Sequence, residues 1–134
     1  MIIEEYVSFE TAKLLKEKGF DESTSMVYMS YGDLCKLNRY DSIRNSNYND
    51  ITKNYFECTA PTHQMTMKWL REKYNIYISI QPDFPSDKDY KMCWCWSASI
   101  LHENCISLKE YQCYIETYEQ AVEAGIKYCL ENLI

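Results

Sequence analysis

The sequence predicts an α+β fold: a mainly antiparallel sheet, made of a hairpin plus a three-stranded meander, with about three helices packed on it. Three observations predict it. Segments with helical apolar spacing sit at the start, centre and end of the chain. Alternating segments fill the gaps between them. Short polar turns join successive strands, which favours antiparallel pairing. With 134 residues, no repeat and no linker, residues 1–134 are expected to form a single domain.

The first helix is "SFETAKLLKEK", residues 8–18. Ser8 is its expected N-cap, Ala12 and Leu15 share one side, and Gly19 is the stop. Phe20 follows at the position that folds back onto such a helix. In "STSMVYMSYGDLCKLN", Met26 to Tyr31 alternate, Gly32-Asp33 marks a turn, and Leu34 to Asn38 return as the second strand. Residues 39–57, rich in Asn, Ser, Asp and Tyr, show neither period. A loop of that length is functional or poorly ordered, unless "DITKNYFE" hides a strand.

Pro61 suits the first position of a second helix, "PTHQMTMKWLREKY", because proline lacks the N–H that would go unpaired there. Met67, Leu70 and Tyr74 form its core stripe, with Met65 and Trp69 as a second pair. In "NIYISIQ", Ile76, Ile78 and Ile80 alternate with Tyr77, Ser79 and Gln81, and Pro82 begins a turn. The return strand runs from Tyr90 to Ile100, and a third covers part of Cys105 to Ile115. Thr117 and Gln120 make a capping box for the last helix, whose core face is Val122, Ile126, Cys129 and Leu133.

Composition excludes several function classes. Net charge is −6, with the acidic excess at the two ends, so the basic stripe that nucleic-acid binding requires is missing. No apolar run nears the ~18 residues of a membrane helix, and "MIIEEYVSFE" lacks the basic start of an export signal. A cytoplasmic protein is therefore expected. Seven cysteines, an odd number without an export signal, argue against a disulfide framework and for reduced, half-buried thiols. Three glycines leave no room for a phosphate-binding glycine loop, and the common hydrolase and metalloprotease motifs are absent.

The densest chemistry is "KMCWCWS", residues 91–97. As a strand it sends Met92, Trp94, Trp96 and Ala98 to one face and Cys93, Cys95, Ser97 and Ser99 to the other. The rival reading is a metal site of Cys93, Cys95, His102 and Cys105. Structural zinc ligands usually come as C-x2-4-C on tight turns, and no second pair follows, so the two-faced strand is preferred. No cofactor is expected. Cys58 and His63 are a catalytic pair only with an orienting group and an oxyanion site that spacing does not reveal. The start of the second helix, with Thr59 and Thr62, is a weak anion site.

Thirteen tyrosines remain, and Tyr31, Tyr40, Tyr48 and Tyr55 fall in or beside the Asn/Ser-rich middle. Tyrosine among such residues suits an adaptable recognition surface, so these four are the candidates for contact with a partner. An AT-rich coding sequence would also inflate tyrosine.

Three segments carry a resemblance: "YVSFETAKLLKEKGF", "APTHQMTMKWLREKYNI" and "TYEQAVEAGIKYCLENLI". Together they resemble a family of small uncharacterised proteins of gut Bacteroides-type bacteria and their phages and prophages. The shared positions include Leu14, Leu15, Met67, Trp69, Leu70 and Leu130, residues that a core needs. The resemblance implies an intracellular protein and supplies no catalytic motif. Its phage context implies an accessory protein that binds a host factor or a signalling molecule.

These readings converge on a non-enzymatic binding module for a protein partner. The alternative is a small-ligand, nucleotide-like binder using Trp94 or Trp96 with Arg71; a Cys/His metal protein or enzyme ranks third. A homodimer that covers the Trp94/Trp96 face is compatible with all three.

Overall fold

A computed structural model describes residues 1–37, 42–46, 56–84 and 91–134. The chain is an α+β protein, with two antiparallel three-stranded sheets among the described residues. The described residues gather into two compact units, Met1–His63 and Gln64–Ile134.

In the first unit, α1 (Phe9–Glu17) begins at Ser8, whose hydroxyl accepts the Thr11 N–H at 3.2 Å. It ends in a Schellman motif. The Gly19 N–H donates to the Lys16 carbonyl and the Phe20 N–H to that of Leu15, with Gly19 at φ 89°, where only glycine is unstrained. This return buries Phe20 almost completely. Strands β1 (Met26–Met29) and β2 (Leu34–Lys36) form the expected hairpin, with Val27 opposite Cys35.

A third strand, β3 (Phe56–Thr59), pairs with the other edge of β1 and gives the order β2-β1-β3. Phe56, Cys58 and Thr59 are buried and Glu57 half-buried, and four residues are too few for their alternation to mark a strand. The buried Asn45 ties this unit together: its amide donates to the Phe20 carbonyl at 2.7 Å and accepts the Thr59 N–H at 3.0 Å. Val7, Ala12, Leu15, Phe20, Val27 and Phe56 are its main buried apolar side chains.

Helix α2 spans His63–Tyr74, two residues later than the sequence suggests. Pro61 is not its first residue, because the preceding backbone is already engaged. The Pro61 carbonyl accepts the Val7 N–H, Thr62 bridges Tyr6, and the His63 N–H donates to Glu5. Asn75, at φ 56°, turns the chain from α2 straight into the next strand.

The second sheet is the expected meander: β4 (Ile76–Asp83), β5 (Cys93–Leu101) and β6 (Ile106–Ile115), in that order. β4 extends through Pro82, which an edge strand tolerates. β4 and β5 pair without interruption from Ile76↔Ile100 to Asp83↔Cys93. β6 carries two irregularities, each adding a residue to its side of the ladder. Helix α3 (Tyr118–Asn132) starts with both bonds of its capping box and lies against β4 and β5. Its buried face is Ala121, Val122, Gly125, Ile126, Cys129 and Leu130.

At Gly125 the helix touches the sheet: a Cβ there would lie 3.1 Å from the Ile78 Cγ2 and 3.6 Å from the Trp96 Cβ. The Ile78 methyl sits on a stiff β-branched side chain, so it yields little. Gly125→Ala should therefore be near neutral, its helix propensity offsetting the tight contact. Gly125→Leu should cost about 2 kcal/mol or more through overpacking. Urea denaturation measures both, and an unchanged midpoint for the leucine variant would mean that α3 does not lie on Ile78 and Trp96.

Candidate functional site

Strand β5 divides its side chains as its alternation requires. On the α3 side, the Trp94 ring meets Tyr118 edge-on at 5.3 Å, and Trp96 packs against Tyr128 at the same distance. The Trp96 indole N–H donates to the Gln112 side chain at 3.1 Å. Both tryptophans thus lie on the helix-covered face of the strand, Trp96 buried and Trp94 half-buried. Met92 lies just before the strand and is exposed.

The opposite, outer face collects sulfur. Cys93 stands directly across from Asp83 on β4, and Cys95 lies two residues along the same face. The Cys93 and Cys95 sulfurs and an Asp83 carboxylate oxygen all lie within 4.8 Å of one another. Asp83 is held by the Phe84 N–H, which donates to Oδ1 at 2.9 Å, while Oδ2 faces the Cys95 sulfur at 3.9 Å.

From the other side Cys113 of β6 forms a disulfide with Cys95, across a Cα separation of 4.0 Å. A bulge makes this possible. Between the pairs Trp96↔Gln112 and Trp94↔Ile115, β6 holds one residue more than β5, and Tyr114 takes a left-handed φ of 65°. Of the seven cysteines five are free thiols, three of them buried, as expected of small hydrophobes. Cys95 and Cys113 depart from that expectation because the bulge sets them face to face.

A concavity of about 330 Å³ opens over the disulfide, bordered by Ser79, Gln81, Asp83, Ser97 and Tyr111. Cys93 lines a second, of about 350 Å³, with Lys91, Tyr114 and Glu116.

His102 and Cys105 are not part of this cluster. They close the β5–β6 turn, where the His102 N–H donates to the Cys105 carbonyl, and both are exposed. That turn is at the other end of β5, about 30 Å along an extended strand from Cys93. The structure therefore brings Cys93 and Cys95 together beside Asp83 and Cys113 and leaves His102 and Cys105 at the far turn. Neither Asp83 nor Cys113 follows from sequence spacing: the one sits in a polar turn pattern, and the register of the other depends on the bulge.

Cys58 and His63 are both buried, in the first unit. Burial pushes the Cys58 thiol from 9.0 up to about 12, with Glu57 adding to the rise and Lys16 and Lys13 opposing it. The thiolate is therefore scarce at neutral pH, which makes Cys58 a poor nucleophile. The anion reading of the α2 start also weakens, since the His63 N–H is taken by Glu5 and Thr59 is fully buried. Tyr31 is exposed at the hairpin turn, while Tyr40, Tyr48 and Tyr55 lie outside the described residues.

Comparison with known proteins finds no matching family model, no matching curated protein and no matching solved structure.

Burial likewise raises the Cys129 thiol from 9.0 to about 12. The folded state therefore favours protonated Cys58 and Cys129. Their contribution to stability is complete below pH 9, where unfolded thiols are also protonated, and is lost as pH rises from about 9 through about 12. Urea denaturation of the reduced protein at pH 8 and pH 10 should show a larger loss for the wild type than for a Cys58→Ala/Cys129→Ala variant. Equal losses would show that these thiols ionise as freely in the folded chain as in the unfolded one.

Proposed function

We propose that the protein is a non-enzymatic binding module that holds an extended segment of a protein partner on the outer face of its second sheet. The observation that carries this reading is a set of exposed apolar side chains on that face: Tyr77 of β4, and Ile106, Leu108 and Tyr111 of β6. Between them the central strand offers Ser97 and Ser99, with Leu101 opposite Ile106 at the turn end. Small residues thus floor a trough whose apolar walls stand two strand spacings apart, about 10 Å, the width of one extended peptide. Tyrosine walls give large contact area at low entropy cost.

The β6 edge is a poorer docking site, because bulges interrupt regular pairing along it. A cytoplasmic phage or prophage accessory protein is the setting we propose. Among the described residues no helix is long and apolar enough to cross a membrane, and five free thiols suit a reducing compartment. The nucleotide alternative is less well supported, since the concavity beside the trough presents a carboxylate, Asp83, where phosphates would need cationic or N–H donors.

A photoreactive benzophenone side chain at position 108 tests the reading in a lysate of the source cells. It should yield one dominant protein adduct that disappears in a Tyr77→Ser/Tyr111→Ser background, while the same probe at Glu131 on α3 yields none. Adducts equal at both positions, or insensitive to the tyrosine changes, would refute a partner seated in the trough.

A further inference from the structure

We propose that the outer face of β4-β5-β6 is also a metal site, formed by Asp83, Cys93, Cys95 and Cys113 when the Cys95–Cys113 disulfide is reduced, and that it takes a thiophilic divalent ion of the zinc class. It rests on different residues from the partner trough and stands or falls separately.

The geometry carries the inference. Three adjacent strands deliver their ligand atoms to one face: a carboxylate from β4, two sulfurs from β5 and one from β6. In a tetrahedral zinc site with Zn–S bonds of ~2.3 Å, neighbouring ligand atoms lie about 3.8 Å apart. The Asp83, Cys93 and Cys95 ligand atoms already lie within 4.8 Å of one another, so side-chain rotations of roughly 1 Å bring them to bonding positions. The Cys113 sulfur is bonded to that of Cys95, so it starts beside the same ligand cluster when the bond opens. Asp83 is oriented for the role, since its Oδ1 is held by the Phe84 N–H and its Oδ2 points at sulfur. Both concavities reach the cluster, one at Cys95 and one at Cys93, giving the ion a path in.

Oxidation state decides occupancy. With the disulfide closed, Cys95 and Cys113 have no thiolate to offer, and only Cys93 and Asp83 remain. A dithiol reductant gives two electrons and two protons to the Cys95–Cys113 bond, leaving two thiols, and itself becomes a disulfide. The entering ion then displaces the protons of Cys93, Cys95 and Cys113, which pass to solvent, while Asp83 binds as the carboxylate. Reoxidation would expel the ion and close the sulfur–sulfur bond, with the two electrons passing to a disulfide oxidant.

The test uses the full-length protein, reduced with dithiothreitol, freed of it by anaerobic gel filtration, and titrated with Co²⁺. Reduced protein should take up one equivalent, with the intense visible bands of tetrahedral cobalt and a thiolate-to-metal charge-transfer band. Zinc should displace the cobalt. Disulfide-bonded protein should show neither band. Asp83 is exposed, so Asp83→Asn should fold normally and weaken binding by at least about tenfold, and Cys93→Ser should do the same. Cys35→Ser and Cys105→Ser should bind as the wild type does. Absence of tetrahedral bands in the reduced wild type would overturn the proposal. So would cobalt binding that survives both Asp83→Asn and Cys93→Ser unchanged.

Discussion

The contact on which the second unit depends is the seating of α3 on strand β5 at Trp96. The indole is almost fully buried, flanked by Tyr128, hydrogen-bonded to Gln112 and approached by the one helix position without a side chain, Gly125. Burial of so large a side chain favours this face strongly over its alternative. Because strand side chains alternate, placing Trp96 against the helix sends Cys95 and Ser97 to the other face. A one-residue slip of register would put the thiol and hydroxyl against α3 and expose both tryptophans. The outer face is therefore a consequence of the core, and its chemistry is positioned by packing on the opposite side.

That consequence gives the outer face two distinct regions. Toward the β5–β6 turn, serines in the central strand leave a trough between apolar walls. Toward the other end, sulfur and carboxylate converge where a bulge at Tyr114 brings β6 into step with Cys95. The bulge matters to both. It interrupts pairing along an edge strand that would otherwise invite association, and it sets Cys113 opposite Cys95. Both proposed uses of the face depend on an open surface. Cys58 shows the opposite arrangement in the first unit: a thiol sealed in a core, its ionisation suppressed by desolvation.

Much of the fold was legible because it rests on local signals. The Ser8 cap, the Gly19 stop, the Thr117–Gln120 capping box and the isoleucine alternation of β4 each state their structure within a few residues. What escaped depends on long-range pairing. β3 is only four residues long, too short for its alternation to stand out, and it is a strand because β1 offers it an edge. The α2 start moved because residues 5–7 claim the backbone of Pro61 to His63. At the candidate site, the two-faced reading of "KMCWCWS" needed only the strand period. The partners of its cysteines needed the β4–β5 register and a bulge in β6, neither of which spacing encodes. His102 and Cys105 looked suitable as ligands by proximity in sequence, yet an extended strand carries them away from Cys93.

Packing at Trp96 fixes one register, with Cys95 of β5 facing Cys113 of β6 beside Cys93. Peptide mapping of the mildly oxidised, alkylated protein by mass spectrometry tests it most directly. A single dominant disulfide, Cys95–Cys113, is expected, with Cys93 recovered as a free thiol. A dominant Cys93–Cys113 or Cys95–Cys105 linkage would contradict the register, and with it the arrangement of the whole outer face.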